Sequence, residues 1–125
     1  MAKITGIGGV FVKAAAPDQL RAFYRDILGI TLDSWGGAQL WNDGPRNYGV
    51  WSVFDADTTY FAPSAKPFML NLRVDDLDGL LAAIRARGGA SAIVDRREDT
   101  PDGKFGYVVD PEGTLIELFQ PASLL

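Results

Sequence analysis

Near its C-terminus the chain alternates apolar and polar positions in a pattern that predicts a β-hairpin. Residues 107–109 and 115–119 are two short runs of aliphatic, β-branched and aromatic residues. Between them, residues 110–113 read Asp-Pro-Glu-Gly, with proline at the second turn position and glycine at the fourth. A turn at this place sets which residues of the two strands face each other.

Glu117 is the unusual residue of the second of these strands. Because strand side chains alternate between faces, Glu117 shares a face with Leu115 and Phe119 in a strongly apolar segment. An unpaired buried charge is costly, so this carboxylate either borders a pocket or pairs with a cation. The sequence leaves both alternatives open, with Arg73 and Lys13 as the candidate cations.

The first half of the chain predicts one helix and four strands. After Pro17, which suits a first helical position, apolar residues recur at helical spacing until Gly29. Residues 36–37, both glycine, connect two strands as a short hairpin, and residues 42–45 form a second turn. The predicted strands are residues 4–13, 30–35, 38–41 and 48–54. The unit is therefore βαβββ.

The second half predicts the same order of elements. Asp76 or Asp78 begins a helix whose leucine and isoleucine residues keep helical spacing up to the glycines at 88–89. The predicted strands are residues 68–74, 92–97, 104–109 and 114–119. Residues 55–66 show no clear period and read as a connector, although Tyr60 and Phe61 within it could pack.

The two halves also match residue by residue, which indicates an internal duplication. Lys13 corresponds to Arg73 and Asp18 to Asp78 at one constant offset. Near the module ends the offset slides, so that Ser52, or alternatively Trp51, corresponds to Glu117. We predict a single α+β domain over residues 1–125, made of modules at about 1–56 and 67–121.

Composition narrows the possible chemistry. The chain has 125 residues, 47% of them hydrophobic, which is enough for a core. It has no His and no Cys, which excludes Ser-His-Asp and Cys-His nucleophile systems and any imidazole or thiolate metal site. The net charge is −4 without a basic cluster, so we expect no nucleic-acid partner. No apolar run suggests a membrane segment or signal peptide, and we expect a cytoplasmic protein with no membrane partner.

Three segments resemble the vicinal oxygen chelate superfamily, which includes glyoxalases, bleomycin resistance proteins and extradiol dioxygenases. They are PDQLRAFYRDILGI from residue 17, VDDLDGLLAAI from residue 74 and GYVVDPEGTLIELFQP from residue 106. The resemblance implies that the two modules curl into a half-open barrel whose concave face binds the ligand. It also implies a homodimer.

In the enzymes of this superfamily, a divalent ion is held by one residue near the start and one near the end of each module. Carried over by position, the starting slots are Gly9 and Met69, and the ending slots are Ser52 (or Trp51) and Glu117. Among these, only Glu117 is a good ligand for a metal ion. We therefore predict no metal at the usual site and no cofactor, while a divalent metal on other oxygen ligands stays open.

If Gly9 and Met69 face the concave side, alternation predicts which other residues do. The predicted ligand-binding residues are Phe11, Lys13, Ser52, Met69, Asn71, Arg73, Glu117 and Phe119. The resulting cavity would be apolar with a few polar groups, which suits a small organic molecule.

Three functions are compatible with this reading. The first is a metal-free binding protein for a small, partly aromatic or cationic molecule, as in the antibiotic-binding relatives. The second is a lyase, isomerase or dioxygenase that uses a divalent metal on atypical oxygen ligands or Glu117 as catalytic general base. The third is a structural module whose pocket is closed by its own aromatic residues.

Overall fold

The computed structural model describes residues 2–27, 29–41 and 48–122. Its strands are β1 (Ile4–Ala14), β2 (Gly37–Trp41), β3 (Tyr48–Asp55), β4 (Phe68–Val74), β5 (Ile93–Thr100), β6 (Gly103–Val109) and β7 (Leu115–Pro121). Its helices are α1 (Pro17–Ala22), which continues as a π-helical turn (Phe23–Ile27), α2 (Leu77–Ala86) and a 3-10 turn (Ala90–Ala92).

The seven strands form one mixed sheet in the order β2-β3-β1-β4-β7-β6-β5. Strands β1 and β3 pair in parallel, as do β4 and β7, and the other neighbours are antiparallel. The two halves of the chain meet where β1 pairs with β4. Since β2 and β5 lie at opposite ends, the sheet is open, and the α+β class with a half-open curved sheet is confirmed.

Two apolar clusters lie on opposite faces of the sheet. On the concave face, buried side chains come from four strands and the connector: Phe11, Phe61, Met69, Tyr107 and Leu115. On the other face, α2 packs on β7 through a second cluster: Val74, Leu77, Leu80, Leu81 and Leu118. Because consecutive strand residues point to opposite faces, Leu115 and Leu118 belong to different clusters, as the sequence pattern predicts.

The predicted C-terminal hairpin is present. Val109 of β6 lies opposite Leu115 of β7. In the turn, the amide of Gly113 donates to the carbonyl of Asp110 at 3.0 Å, and Gly113 has φ of 83°, which favours glycine. This register places Tyr107 directly opposite Glu117.

Helix α2 begins at the first of its two candidate caps. Asp76 Oδ1 accepts a hydrogen bond from the amide of Gly79 at 3.1 Å. Asp78 instead pairs with Arg97 of β5 at 2.6 Å. The amide of Leu77 donates to Gln120 Oε1 of β7 at 2.8 Å, so a buried side chain fixes the helix start on the sheet.

One predicted strand is absent: residues 30–35 lie outside the sheet. The amide of Ile30 donates to the carbonyl of Tyr24, and that of Asp33 donates to the carbonyl of Gly37 at 2.8 Å, which closes a tight loop. Arg21 Nε donates to the carbonyl of Gly36 at 2.9 Å and holds the loop on α1. These bonds use backbone groups that a strand would need, so the described residues of the first half contain three strands. The turn predicted at residues 42–45 and Leu28 of the first helix fall outside the described residues.

The connector at residues 55–66 packs against the concave face. Phe61 is completely buried there, and the Tyr60 ring stacks on Phe54 with centroids 5.1 Å apart. The expectation that these two connector residues pack is therefore confirmed.

In the part of the chain that the structure describes, no helix has both the length and the apolar character needed to cross a membrane.

The bond from Leu77 to Gln120 predicts a stability effect. Replacing Gln120 with Leu leaves a buried backbone N–H without its acceptor, so we expect unfolding free energy to fall by about 1–3 kcal/mol. Urea denaturation measures this. The matched control is Gln19→Leu at an exposed position of α1, which should change stability by less than about 0.5 kcal/mol. Equal effects of both substitutions would contradict the role assigned to Gln120.

Candidate functional site

A cavity of about 780 Å³ lies on the concave face of the sheet. Phenylalanines from four strands form much of its wall: Phe11, Phe54, Phe105 and Phe119. Trp35 and the tyrosines at positions 48 and 60 complete the aromatic part. The polar residues that line it are Asp33, Ser34, Gln39, Ser52, Asn71, Asp102 and Glu117. The wall therefore combines aromatic rings with polar groups.

Glu117 lies in the wall of this cavity and is only 1% exposed. Its Oε1 accepts a hydrogen bond from Asn71 Nδ2 at 2.7 Å. Its Oε2 accepts one from the Tyr107 hydroxyl at 2.8 Å and another from the Tyr60 hydroxyl. Three neutral donors thus surround a carboxylate that has about four acceptor positions.

The sheet register explains two of these three bonds. Glu117 lies opposite Tyr107 on one neighbouring strand and opposite Asn71 on the other. Directly opposed residues have their side chains on the same face and within reach of each other. Tyr60 comes from the connector and approaches from above the sheet, so the cluster also joins the connector to β7.

Both tyrosine hydroxyls remain protonated over a wide pH range. Burial, followed by the charge of Glu117, raises the pKa of Tyr60 well above its ordinary value, and the same causes raise the pKa of Tyr107 further. Each hydroxyl has one proton to donate. Because both hydroxyls donate to Oε2 of Glu117, neither proton lies between the two hydroxyl oxygens, which are 3.1 Å apart.

The guanidinium of Arg96, on β5, packs against the rings of Tyr60 and Tyr107. Its guanidinium carbon lies 4.3 Å from the centroid of the Tyr60 ring and 4.0 Å from that of Tyr107. Its Nη1 also donates to the carbonyl of Tyr60 at 2.8 Å. Arg96 therefore positions the connector and the rings that carry both hydroxyls.

Asn71 is held in one orientation by its neighbours. Its amide nitrogen must face the Glu117 carboxylate, since the carbonyl oxygen would be repelled there. Its Oδ1 is buried and has no hydrogen-bond partner among the described residues. A Cβ at Gly8 would lie 2.0 Å from this oxygen, so the side chain of Asn71 occupies space that only glycine leaves.

Of the two alternatives for Glu117, the structure favours the position beside a pocket, because neither Lys13 nor Arg73 pairs with it. Lys13 Nζ lies over the Phe61 ring, 5.2 Å from its centroid. Arg73 Nη1 donates to the carbonyl of Tyr48 at 3.0 Å. The two tyrosines and Asn71 replace a cation, because several hydrogen bonds can compensate a buried carboxylate without an ion pair.

The structure brings five of the eight predicted ligand-binding residues to the cavity wall. They are Phe11, Ser52, Asn71, Glu117 and Phe119. Lys13, Met69 and Arg73 are not part of that wall. Met69 is completely buried in the apolar cluster below it. Of the two alternatives for the ending slot of the first module, Ser52 faces the cavity, whereas Trp51 stacks on Tyr24 with ring centroids 4.0 Å apart.

The residues present do not fit the divalent ion that enzymes of the resembled superfamily hold. Gly9 has no side chain, and a Cβ there would lie 2.3 Å from the carbonyl oxygen of Val50. The Met69 thioether is buried, and the hydroxyl of Ser52 is a weak ligand without charge. No group of three Asp, Glu, His or Cys residues suited to a metal occurs among residues 2–27, 29–41 and 48–122.

Sequence reasoning named Asn71 as a site residue but missed the two tyrosines that hold Glu117. The hairpin turn already implied that Tyr107 faces Glu117, so this contact could have been found by counting back from the turn. Tyr60 gave no such signal, because a connector has no register. Asp33 and Asp102 were also missed, since both lie outside strands, where alternation assigns no face.

Comparisons with known proteins agree with this architecture. The chain is 30% identical over 112 residues to the "Putative glyoxylase CFP32" of Mycobacterium bovis, a match that covers 85% of this chain and 40% of that protein. It therefore spans less than half the length of this curated relative.

Solved structures share the fold at low sequence identity. A glyoxalase/bleomycin resistance protein/dioxygenase superfamily member from Vibrio splendidus 12B01 superposes with a TM-score of 0.62 at 16% identity, covering 96% of this chain and 99% of that one. Methylmalonyl-CoA epimerase from Mycobacterium tuberculosis gives a TM-score of 0.64 at 21% identity, covering 95% and 89%.

The sequence model of one domain family matches almost the whole chain. Its description is "Glyoxalase-like domain", and the match runs over residues 9–119. This range includes the second half of β1, all of β2 to β6 and most of β7. It also includes the four residues that we call the Glu117 cluster: Glu117, Asn71, Tyr60 and Tyr107. The chain belongs to the glyoxalase-like family of the vicinal oxygen chelate superfamily.

Proposed function

We propose that this glyoxalase-like protein binds a small organic molecule in its concave cavity without a metal ion. The observation that carries the proposal is the Glu117 cluster. The one carboxylate at a family metal position already accepts three hydrogen bonds from protein groups, and it lies in the wall of a cavity that remains open.

The size and surface of the cavity support ligand binding. Cavities that hold small ligands measure roughly 300–1,000 Å³ and combine apolar walls with a few fixed polar groups. The concave cavity, at about 780 Å³, falls in this range. Its aromatic wall also argues against the reading in which aromatic residues close the pocket, because those rings border open space.

The polar groups of the cavity are held before any ligand arrives. Glu117 and Asn71 are almost fully buried, and Glu117 accepts hydrogen bonds from Asn71 and from Tyr107, which is buried outside the lining. Arg96 holds Tyr60 by a backbone bond and by stacking. A site fixed in this way loses little conformational entropy when a ligand binds, which favours affinity.

Blocking the cavity should abolish binding. In the Ser52→Trp variant an indole would project from β3 into the cavity, and we expect fragments that bind the native protein to lose binding at least about tenfold. Ligand-observed NMR with a library of small organic fragments measures this. The matched control, Ser91→Trp, lies at an exposed site beyond α2 and should bind as the native protein does. Fragments that bind both variants equally would place ligand binding outside the concave cavity.

Removing metal ions should leave binding unchanged. Because the donor set does not fit a divalent ion, we expect the same dissociation constants for these fragments before and after EDTA treatment, and no thermal stabilisation by added Mn²⁺, Ni²⁺ or Zn²⁺. Calorimetry and thermal unfolding measure the two quantities. A loss of affinity after EDTA, restored by one of these ions, would instead favour an enzyme with atypical ligands.

Catalysis by Glu117 as a general base is the second candidate. It is favoured by the Oε1 atom, which accepts one hydrogen bond from the described residues and so retains an acceptor position beside the cavity. If a substrate is turned over by this route, Glu117→Gln should reduce kcat at least about a hundredfold, since general bases contribute about that much. Unchanged kcat in this variant would exclude the base and leave only a binding role.

A further inference from the structure

The charges that line the concave cavity are all of one sign in the described part of the chain. Glu117 lies buried in its wall, and the carboxylates of Asp33 and Asp102 lie at exposed positions of the same lining. None of the lysines or arginines among the described residues is part of the lining. The cavity is thus acidic from its buried wall to its rim.

These three carboxylates have no cation as partner among the described residues. The ion pairs of that part of the chain lie elsewhere and involve Asp18, Asp26, Asp78, Glu98 and Asp99. Glu117 has only neutral donors. Lys13 and Arg96 contact a ring and a backbone carbonyl, and neither is paired with one of these three carboxylates among the described residues.

Two arginines contact aromatic residues of the lining but are not themselves part of it. Arg73 lies 4.8 Å from the centroid of the Tyr48 ring and donates to the carbonyl of the same residue. Arg96 contacts Tyr60 in a similar way. They reduce the negative potential of the cavity, but the lining itself still presents only acidic charge.

The aromatic wall adds a second feature that attracts cations. Phe105 and Phe119 stack nearly in parallel, with centroids 4.8 Å apart and planes 12° apart. Phe54 and Tyr60 form a second stacked pair in the same wall. The face of an aromatic ring carries negative electrostatic potential and attracts organic cations, and it also packs against flat apolar groups.

We infer that the ligand is an organic cation with a flat apolar body, such as a protonated arylalkylamine. This inference rests on the proposed binding function and specifies its ligand class. The body packs on the rings, and the ammonium group is drawn by Asp33 and Asp102 at the rim and by Glu117 in the wall. A buried carboxylate without a cationic partner gains most from such a ligand, since water screens it least.

Three probes that share one ring system and differ in charge test the inference: 1-naphthylmethylammonium, 1-naphthylmethanol and 1-naphthoate. Calorimetry at neutral pH and low salt should give the tightest binding for the ammonium and the weakest for the carboxylate, with at least about a tenfold difference between these two. Added salt should reduce the difference, because the rim carboxylates are exposed.

Variants identify which charges are responsible. Asp33→Asn combined with Asp102→Asn should weaken binding of the ammonium several-fold more than binding of the alcohol. The matched control combines Asp95→Asn and Glu112→Gln, which make the same change of charge at exposed positions outside the concave cavity, and it should leave the order and spacing of the three affinities unchanged.

The outcomes separate this inference from the proposed function. If the alcohol binds as tightly as the ammonium and Ser52→Trp abolishes both, the cavity binds small molecules but the preference for cations is overturned. Tightest binding of the carboxylate overturns it as well. If none of the three probes binds, the inference also fails, and the fragment library decides separately whether the cavity binds other molecules.

Discussion

The structure depends on how one buried carboxylate is kept in a sheet. Glu117 has no ion pair among the described residues and is instead held by Asn71 from β4, Tyr107 from β6 and Tyr60 from the connector. Leaving such a charge without partners would cost several kcal/mol, so these donors must stay in place. The cluster therefore fixes β7 against both neighbours and fastens the connector to the concave face, which sets the wall of the cavity.

Because of this arrangement, the two faces of the sheet differ in polarity and in packing. Helix α2 covers the outer face with an aliphatic cluster that includes Leu77 and Leu118, and the buried bond from the Leu77 amide to Gln120 fixes its start. The concave face keeps polar groups and leaves space beside them. A residue such as Gly8, which leaves room for the side chain of Asn71, is then required by the cluster and not by strand geometry.

Regular elements could be predicted from the sequence, and contacts between distant segments could not. The C-terminal hairpin was predictable because its turn residues define the register, and the alternation along β7 correctly separated Glu117 from the outer cluster. The prediction of a strand at residues 30–35 was wrong because Arg21 and tight-turn hydrogen bonds hold that segment in a loop. No local sequence pattern reveals these bonds. The pairing of Glu117 with Lys13 or Arg73 was suggested by charge alone, and the structure shows neutral donors instead. One of these donors, Tyr60, could not be predicted because its position depends on the fold of the connector.

We propose that protein hydrogen bonds at Glu117 take the place of metal coordination in this member of the family. Anomalous X-ray diffraction from crystals soaked in Mn²⁺ measures whether an ion binds there. We expect no anomalous peak at bonding distance from the Glu117 carboxylate, with the hydroxyls of Tyr60 and Tyr107 still directed at Oε2. A peak bonded to that carboxylate, with either tyrosine displaced from it, would contradict this proposal.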